Sequence, residues 1–298
     1  MIVTPHVPPA GQEPVTPSAL GDVALPMSPV VLTRVQAAID SGSTNASHVA
    51  AMIRADPALT ATVLRLVNSA WFGLPQPIGK PTAAVAYLGL SEIHRLVVTA
   101  SVINGFRSSN ASELKRIWHH ATLTGLIARQ LTKARARWLS SSIAWTLGLL
   151  HDVGSLVRLV VEPELEARVA AWTQANEALP EEAEVAFGAR PATAWGRALT
   201  EHWRLPSLFT LVATHHRTGL APRTTALDDA AYLTIVSAAS LMAHLVSRPL
   251  REDVRASLTT RVCVLLDCDP SELWDLLASA HALNAETGAA MTEVLRGA

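Results

Sequence analysis

Residues 56–73, which read DPALTATVLRLVNSAWFG, contain a complete set of signals for one helix. Asp56 can accept hydrogen bonds from the free amides of a first helical turn, and Pro57 is tolerated at the first helical position. One face of the predicted helix is apolar, with Leu59, Val63, Leu66 and Val67 at helical spacing. The next stretch, residues 73–81 (GLPQPIGKP), repeats Pro and Gly and predicts a loop.

The same helical pattern recurs along the rest of the chain. Pro29 opens a predicted helix with an apolar face through Ile39, and Gly89 ends a short one from Ala83. No stretch alternates apolar and polar residues at the period of a strand, so the sequence predicts an all-α, multi-helix bundle. Residues 1–24 are rich in Pro, Gly, Ser and Thr and predict a flexible tail. Further helices are predicted at about 112–133, 140–152, 155–161, 163–178, 191–203, 206–216, 228–246, 250–266 and 270–296.

Composition excludes several functional classes. The 298 residues are 49% hydrophobic and 16% charged, with a formal net charge of −1. Such a chain can bury a large core, but it has no global charge for nucleic acid or an anionic membrane. The apolar stretch Ala230–Val246 is short for a bilayer and carries Ser237, Ser240 and His244, so a buried helix is expected. We therefore predict a soluble cytoplasmic protein with neither nucleic acid nor membrane as a partner; its oligomeric state is not determined by sequence.

The two cysteines, Cys263 and Cys268, are too few to form a disulfide framework in a chain of this length. This scarcity favours a reducing compartment. No other Cys or His lies near them at a spacing typical of zinc ligands. They are interpreted as small apolar residues near the end of a helix.

Residues 148–154, GLLHDVG, are the one chemically suggestive feature. Adjacent His151 and Asp152 at a helix end could both bind a divalent metal, but at least one more histidine and usually a further carboxylate would have to join them. A polar helix end whose side chains bond to neighbouring groups is an equally good interpretation of the doublet. The histidines that could complete a metal site are His119 or His120, His202, and the pair His215–His216.

A second candidate surface lies at the end of the helix that opens at Asp56. Asn68, Ser69, Trp71 and Phe72 combine polar and aromatic side chains next to the Pro/Gly loop, and they could bind a partner protein. Alternatively, the aromatic residues anchor the loop on the core of the protein.

Residues 56–73 strongly resemble the signature of the HDOD family, the HD-related output domains of bacterial signalling proteins. Four further stretches resemble the family in the same order. The resemblance covers about residues 25–217 and implies an N-terminal helical subdomain followed by one related to HD-type phosphohydrolases. It also implies a regulatory, usually non-catalytic role that acts by binding a signalling protein, or a small ligand. The four further stretches that resemble the family are Leu25-Pro26 with Ser28-Pro29, Ala84–Leu90 with the helix of Leu96-Val97-Val98, Trp118-His119, and Gly148–Gly154.

By this resemblance His119 matches the first HD-type histidine, and His151-Asp152 matches the doublet. The chain departs from the pattern in two places. Relatives often have His at the position of Ala192. They also often have His and then Asp on the helix from Tyr232 to Val246, where this sequence has Ser237 and Ser240. Losing ligands removes most of the affinity of a divalent site. We therefore predict no cofactor and no catalytic residue, with His119, His151 and Asp152 as remnants of a metal site. The alternative is an active metal-dependent phosphohydrolase or phosphodiesterase. The predicted organisation is a tail (1–24), the HDOD domain (25–217) and a C-terminal helical extension (218–298) that completes the bundle or docks on it.

Overall fold

The protein is described by a computed structural model. It describes residue 15 and residues 46–55, 57–68, 74–90, 92–93, 96–97, 100, 111–203 and 205–296. Within these residues every regular element is a helix and none is a strand, which confirms the all-α prediction. Apart from residue 15, the predicted tail lies outside the described residues, as do the predicted helix from Pro29 and the candidate residues Ser69, Trp71 and Phe72.

The helices follow one another with short connections. In chain order they are α1 (Ala46–Arg54), α2 (Pro57–Val67), α3 (Pro81–Leu88), α4 (Ala111–Arg135), α5 (Ser141–Leu150), α6 (Val153–Val161), α7 (Pro163–Ala175), α8 (Pro180–Ala186), α9 (Ala192–His202), α10 (Ser207–His215), α11 (Leu227–Ser247), α12 (Glu252–Leu266) and α13 (Pro270–Arg296).

Local signals account for several helix ends. The Ser140 hydroxyl accepts the backbone N–H of Ile143 at 3.4 Å and caps α5. Gly89 follows α3 with a φ of 80°, a conformation that costs glycine little. Helix α8 was not predicted, because its seven residues are too few to show a helical apolar pattern. It begins at Pro180, and the Glu182 carboxylate accepts the free backbone N–H of Leu179 at 3.0 Å.

The described residues divide into two compact units. One contains the described residues between 46 and 119 and between 285 and 296, and the other contains residue 15 and the described residues between 120 and 284. In the first, α1, α2 and α3 pack against one another and bury Val49, Ile53 and Leu66 completely. The Thr60 hydroxyl donates to the carbonyl of Ile53 at 2.7 Å and joins α2 to α1.

In the unit of residues 120–284, glycines allow two pairs of helices to approach closely. A Cβ added at Gly154 of α6 would lie 1.8 Å from the carbonyl oxygen of Ala192 on α9. One added at Gly148 of α5 would lie 2.7 Å from Cα of Gly125 on α4. Both contacts flank the connection between α5 and α6, so the backbone there is held between α4 and α9.

The core of this unit is built around α11, which packs against α5, α10 and α12. Among the described residues, two segments are long and apolar enough to cross a membrane, Ile143–Val161 and Leu227–Ser247, but 83% and 78% of their most apolar windows are buried inside the protein. Burial of this extent is typical of core helices and is consistent with a soluble protein.

A histidine cluster around the end of α5

His151 lies immediately after α5 and is almost completely buried. Its Nδ1 lies 2.6 Å from the carbonyl oxygen of Gly148, one turn earlier. A carbonyl can only accept a hydrogen bond, so Nδ1 carries the proton and donates. In the neutral ring Nε2 is then an acceptor.

Two groups meet this acceptor. His120 Nε2, from α4, lies 3.2 Å from His151 Nε2. The Ser240 hydroxyl oxygen, from α11, lies 3.2 Å from His151 Nε2 and 3.3 Å from His120 Nε2. The three atoms form a nearly equilateral triangle to which three separate helical segments contribute.

The hydrogen-bond partners assign the protons in this triangle. Because His151 Nε2 accepts, His120 is protonated at Nε2 and donates toward His151 or Ser240. His120 Nδ1 is buried and has no hydrogen-bond partner. The triangle is therefore a self-sufficient hydrogen-bonded group of two neutral imidazoles and one hydroxyl.

Two more imidazoles extend the group, which we call the histidine cluster: His120, His151, His216 and His244, with Ser240. His244 of α11 stacks on His120 with ring centroids 4.2 Å apart. His216, just after α10, meets His151 edge-on at 4.7 Å and lies 3.1 Å through Nδ1 from the Val212 carbonyl. His151 and His216 are buried, whereas His120 and His244 are partly buried.

Burial keeps these rings neutral. Loss of hydration lowers the pKa of His120, His216 and His244 well below the ordinary value, and the mutual proximity of the rings lowers each pKa further. The positive charge of Arg248 adds to the effect at His244. Burial also lowers the pKa of His151, although the Asp152 carboxylate opposes that shift.

Asp152 belongs to the connection between α5 and α6 rather than to the triangle. Its Oδ2 accepts the Ser155 hydroxyl at 2.7 Å, and its Oδ1 is buried with no hydrogen-bond partner. Its charge helps to raise the pKa of Arg217, whose largest favourable partner is Glu184. Asp152 thus acts as a helix-end carboxylate beside the histidine cluster.

A buried ion-pair network lies behind the cluster, and sequence reasoning had not singled out its residues. Arg158 of α6 donates to Glu166 at 2.6 Å and to Glu184 at 2.5 Å, and all three side chains are at most 3% exposed. Glu184 also accepts hydrogen bonds from Arg217 and from the backbone N–H of Ala192. The network anchors Arg217, and therefore its neighbour His216, against α6, α8 and α9.

The structure separates the histidines that the sequence left as alternatives. The resemblance pointed to His119, but the ring in contact with His151 is that of His120. Consecutive helical residues point about 100° apart, so only one of the two can face His151. His202 is exposed and His215 is half-buried, and neither ring belongs to the cluster.

The departures noted in the sequence also have definite positions. Ala192 is buried where α9 crosses α6, and Ser240 completes the triangle. Ser237 is buried one turn before Ser240, and its hydroxyl has no hydrogen-bond partner.

Of the predicted partner-binding residues, only Asn68 is described. Its side-chain nitrogen donates to the carbonyls of Leu64 and Ile78 at 2.9 and 2.8 Å, and its oxygen accepts the Ile78 N–H at 2.6 Å. Asn68 therefore ties the end of α2 to the loop of residues 74–80. In this loop Pro75, Gln76 and Lys80 are exposed.

The donor set does not fit the divalent metal that an HD-type site implies. Among the residues that the structure describes, no three His, Cys, Asp or Glu side chains are close enough to hold one ion. The third corner of the triangle is a neutral hydroxyl. In addition, a metal-bound imidazole usually donates its other N–H to an acceptor, and His120 Nδ1 has none.

Comparison with known proteins gives consistent results. The HDOD domain profile matches residues 25–218. An uncharacterised protein from Treponema pallidum (strain Nichols) is 28% identical over 199 residues, 66% of this chain and 39% of that protein. The chain thus spans about two fifths of the length of this curated relative.

Two crystal structures share the fold over nearly the whole chain. An HDOD domain protein of unknown function from Geobacter sulfurreducens is 21% identical, with a TM-score of 0.67 and 94% of both chains covered. A candidate phosphohydrolase from Shewanella amazonensis SB2B is 22% identical, with a TM-score of 0.69, 94% of this chain and 100% of that one covered.

A third structure, of a candidate signal transduction protein from Marinobacter aquaeolei VT8, is 16% identical and has a TM-score of 0.70. The alignment covers 93% of this chain and 61% of that one.

The fold and the site together define an all-α protein in which a histidine cluster lies at the end of α5, next to the His151-Asp152 doublet. With the profile covering most of its length, the chain belongs to the HDOD domain family.

Proposed function

We propose that this protein is a non-catalytic regulatory module of bacterial signal transduction that acts by binding a partner protein. One observation carries the proposal. The third corner of the triangle is Ser240, whose hydroxyl oxygen lies 3.3 Å from His120 Nε2 and 3.2 Å from His151 Nε2. A group whose donors and acceptors bond to one another has little affinity for a divalent ion.

Family membership supports a signalling role, because the resemblance to HDOD proteins implies regulation rather than catalysis. The Marinobacter protein with the same fold is a candidate for signal transduction, whereas the Shewanella protein is a candidate phosphohydrolase. Because the Shewanella protein is a candidate phosphohydrolase, metal-dependent phosphodiester hydrolysis is the alternative function that has to be tested. At this level of identity both likenesses concern the fold alone.

Metal loading followed by a hydrolysis assay tests the non-catalytic part of the proposal. The full chain is stripped with a chelator, incubated in turn with Mn²⁺, Fe²⁺ and Zn²⁺, desalted, and assayed with bis(p-nitrophenyl) phosphate and cyclic dinucleotides. We expect less than about a tenth of an equivalent of retained metal and no hydrolysis above background. One equivalent of metal together with turnover that His151→Gln abolishes would show that the protein is an enzyme.

Ser240→Asp provides the matched control. It places a charged donor next to His120 Nε2 and His151 Nε2, and ligand-shell changes commonly alter metal affinity by about 10- to 100-fold. We expect this variant to retain at least about ten times more metal than the natural chain. Ser240→Asn, which is similar in shape but neutral, should behave like the natural chain.

We further propose that the partner binds on the loop of residues 74–80 and the adjoining face of α3. The loop is held in place by Asn68 and presents Lys80, and the side chain of Tyr87 on α3 is 60% exposed. Rigid loops with exposed side chains are common binding surfaces, and tyrosine is frequent at interfaces.

Affinity capture with the full chain as bait, quantified by mass spectrometry, tests this surface. Tyr87→Ala and Lys80→Glu should lower recovery of the same partner at least about fivefold, because each removes an exposed contact. Trp138→Ala is the matched control, since Trp138 is also an exposed aromatic residue but lies in the unit of residues 120–284. Equal loss in all three variants would place the binding surface elsewhere.

A signalling module of this kind would act in the cytoplasm of a bacterium. The burial of its two long apolar segments inside the protein agrees with that location. The prediction of no cofactor accords with the donor set of the histidine cluster, and metal analysis is its test.

A further inference from the structure

The end of α12 places the two cysteines of the chain at paired positions. Asp267 adopts a left-handed conformation, with φ 47° and ψ 55°, and ends the helix. The backbone N–H of Cys268 then donates to the carbonyl of Cys263 at 3.1 Å. This is the closing bond of a Schellman motif, in which the side chains of these two positions contact each other.

The two side chains stand at the positions that contact each other in this motif, and each is half-buried against the edge of the core. The 3.1 Å hydrogen bond joins the carbonyl oxygen of Cys263 to the backbone nitrogen of Cys268. Adding the backbone bonds that connect these two atoms to their Cα atoms limits the Cα–Cα separation to at most about 7 Å. Disulfides span Cα separations of about 4.4–6.8 Å, so a bond requires little backbone movement.

Neighbouring groups hold this pair in place. The Arg135 guanidinium donates to the carbonyl of Leu266 at 2.9 Å and pairs with Glu272 of α13 at 3.2 Å. Burial, together with the adjacent Cys263, raises the pKa of the Cys268 thiol to about 11. Cys268 is therefore protonated at neutral pH.

We propose that Cys263 and Cys268 form a reversible redox dithiol, which peroxides oxidise to an intrachain disulfide. The sulfur of Cys263 attacks one oxygen of hydrogen peroxide, becomes a sulfenic acid and releases hydroxide, which takes up the thiol proton to give water. The sulfur of Cys268 then attacks the sulfenic sulfur, the S–S bond forms, and its proton leaves with the hydroxyl as a second water. Two thiols of glutathione reverse the change and become glutathione disulfide.

In a reducing compartment the pair would rest as thiols and respond only to an oxidant. Oxidation would tie the last turn of α12 to the connection that precedes α13, which begins at Pro270. We expect slower amide hydrogen exchange in residues 262–274 of the oxidised protein, because closing the disulfide suppresses local fraying.

Thiol counting on the full chain tests the proposal, since it has no other cysteine. After treatment with hydrogen peroxide, titratable thiols should fall from two to none, with an intact mass lower by about 2 Da and full recovery in dithiothreitol. Neither Cys263→Ser nor Cys268→Ser should lose two hydrogens on oxidation, and in Cys268→Ser the remaining thiol, Cys263, should be trapped as a sulfenic acid by dimedone. Disulfide-linked dimers, uptake of oxygen without loss of two hydrogens, or persistent thiols would overturn the proposal.

Substitution of Asp267 tests whether the left-handed helix end, rather than the short sequence spacing alone, brings the two thiols together. Asp267→Gly keeps the left-handed conformation, whereas Asp267→Val disfavours it, because β-branched residues rarely adopt positive φ. We expect Asp267→Gly to oxidise at the natural rate and Asp267→Val at least about fivefold more slowly. Equal rates in the two variants would show that the motif does not pair the thiols and would contradict the inference.

Discussion

The four imidazoles of the histidine cluster lie against one another in the folded unit of residues 120–284, and burial makes their protonation costly. In the unfolded chain each histidine takes up a proton below about pH 6.5. In the folded chain burial and the nearby rings hold the pKa of His120, His216 and His244 well below that value. Below about pH 6.5 the unfolded state therefore binds more protons, and the free energy of unfolding falls as the pH falls.

This linkage predicts a steep loss of stability under mild acid. Each fully shifted histidine contributes up to about 1.4 kcal/mol per pH unit between pH 6.5 and its lowered pKa. Urea unfolding at pH 7.5, 6.5, 5.5 and 5.0 measures the slope. His244→Gln should reduce it, whereas His202→Gln should not, because His202 is exposed. A free energy of unfolding that does not change between pH 6.5 and 5.0 would contradict the prediction.

The buried network around Arg158 predicts a second residue-level effect. Loss of the guanidinium in Arg158→Met would leave the Glu166 carboxylate, 1% exposed, without this partner. Breaking a buried pair on one side typically costs about 3–5 kcal/mol. Glu184 is less affected because it keeps Arg217.

A double substitution distinguishes pairing from packing. Arg158→Met with Glu166→Met removes both charges, and we expect most of the lost stability to return in urea unfolding. If the double variant is no more stable than Arg158→Met, the loss comes from packing rather than from breaking the ion pair.

At the scale of elements, the crossing of α6 and α9 depends on the absence of a side chain at Gly154. A methyl group there would overlap the carbonyl of Ala192, so Gly154→Ala must push the helices apart. We expect a loss of about 3 kcal/mol or more in urea unfolding. Gly79→Ala is the control, because a Cβ at Gly79 meets nothing within 4 Å. Similar small effects in the two variants would mean that the crossing is not tightly packed.

At the scale of the whole molecule, the division into two units predicts separate cooperative blocks. Leu233 lies in the core of the unit of residues 120–284, and Leu66 lies in the core of the other; both are fully buried. Truncation of either to alanine should cost about 2–5 kcal/mol. In hydrogen-exchange mass spectrometry, Leu233→Ala should accelerate exchange mainly in α5–α12, and Leu66→Ala mainly in α1–α3. Uniform acceleration in both variants would indicate a single cooperative unit.

The sequence by itself determined the helical architecture and the family. Caps, proline positions and apolar spacing act within a few residues, so the start of α5 at Ser141 after the Ser140 cap could be predicted from local chemistry. The end of α3 at Gly89 was equally local. The short α8 was missed because seven residues hold less than two full apolar repeats.

Only the tertiary structure decided which side chains form the site. His119 and His120 are neighbours in sequence, and the orientation of α4 about its own axis places His120 in contact with His151. His216, His244 and Ser240 arrive from segments far along the chain, and the charges of Arg158, Glu166 and Glu184 meet only through packing. Local patterns encode where a helix begins and which of its faces is buried, whereas the contacts that set charge state and donor geometry depend on how the helices cross.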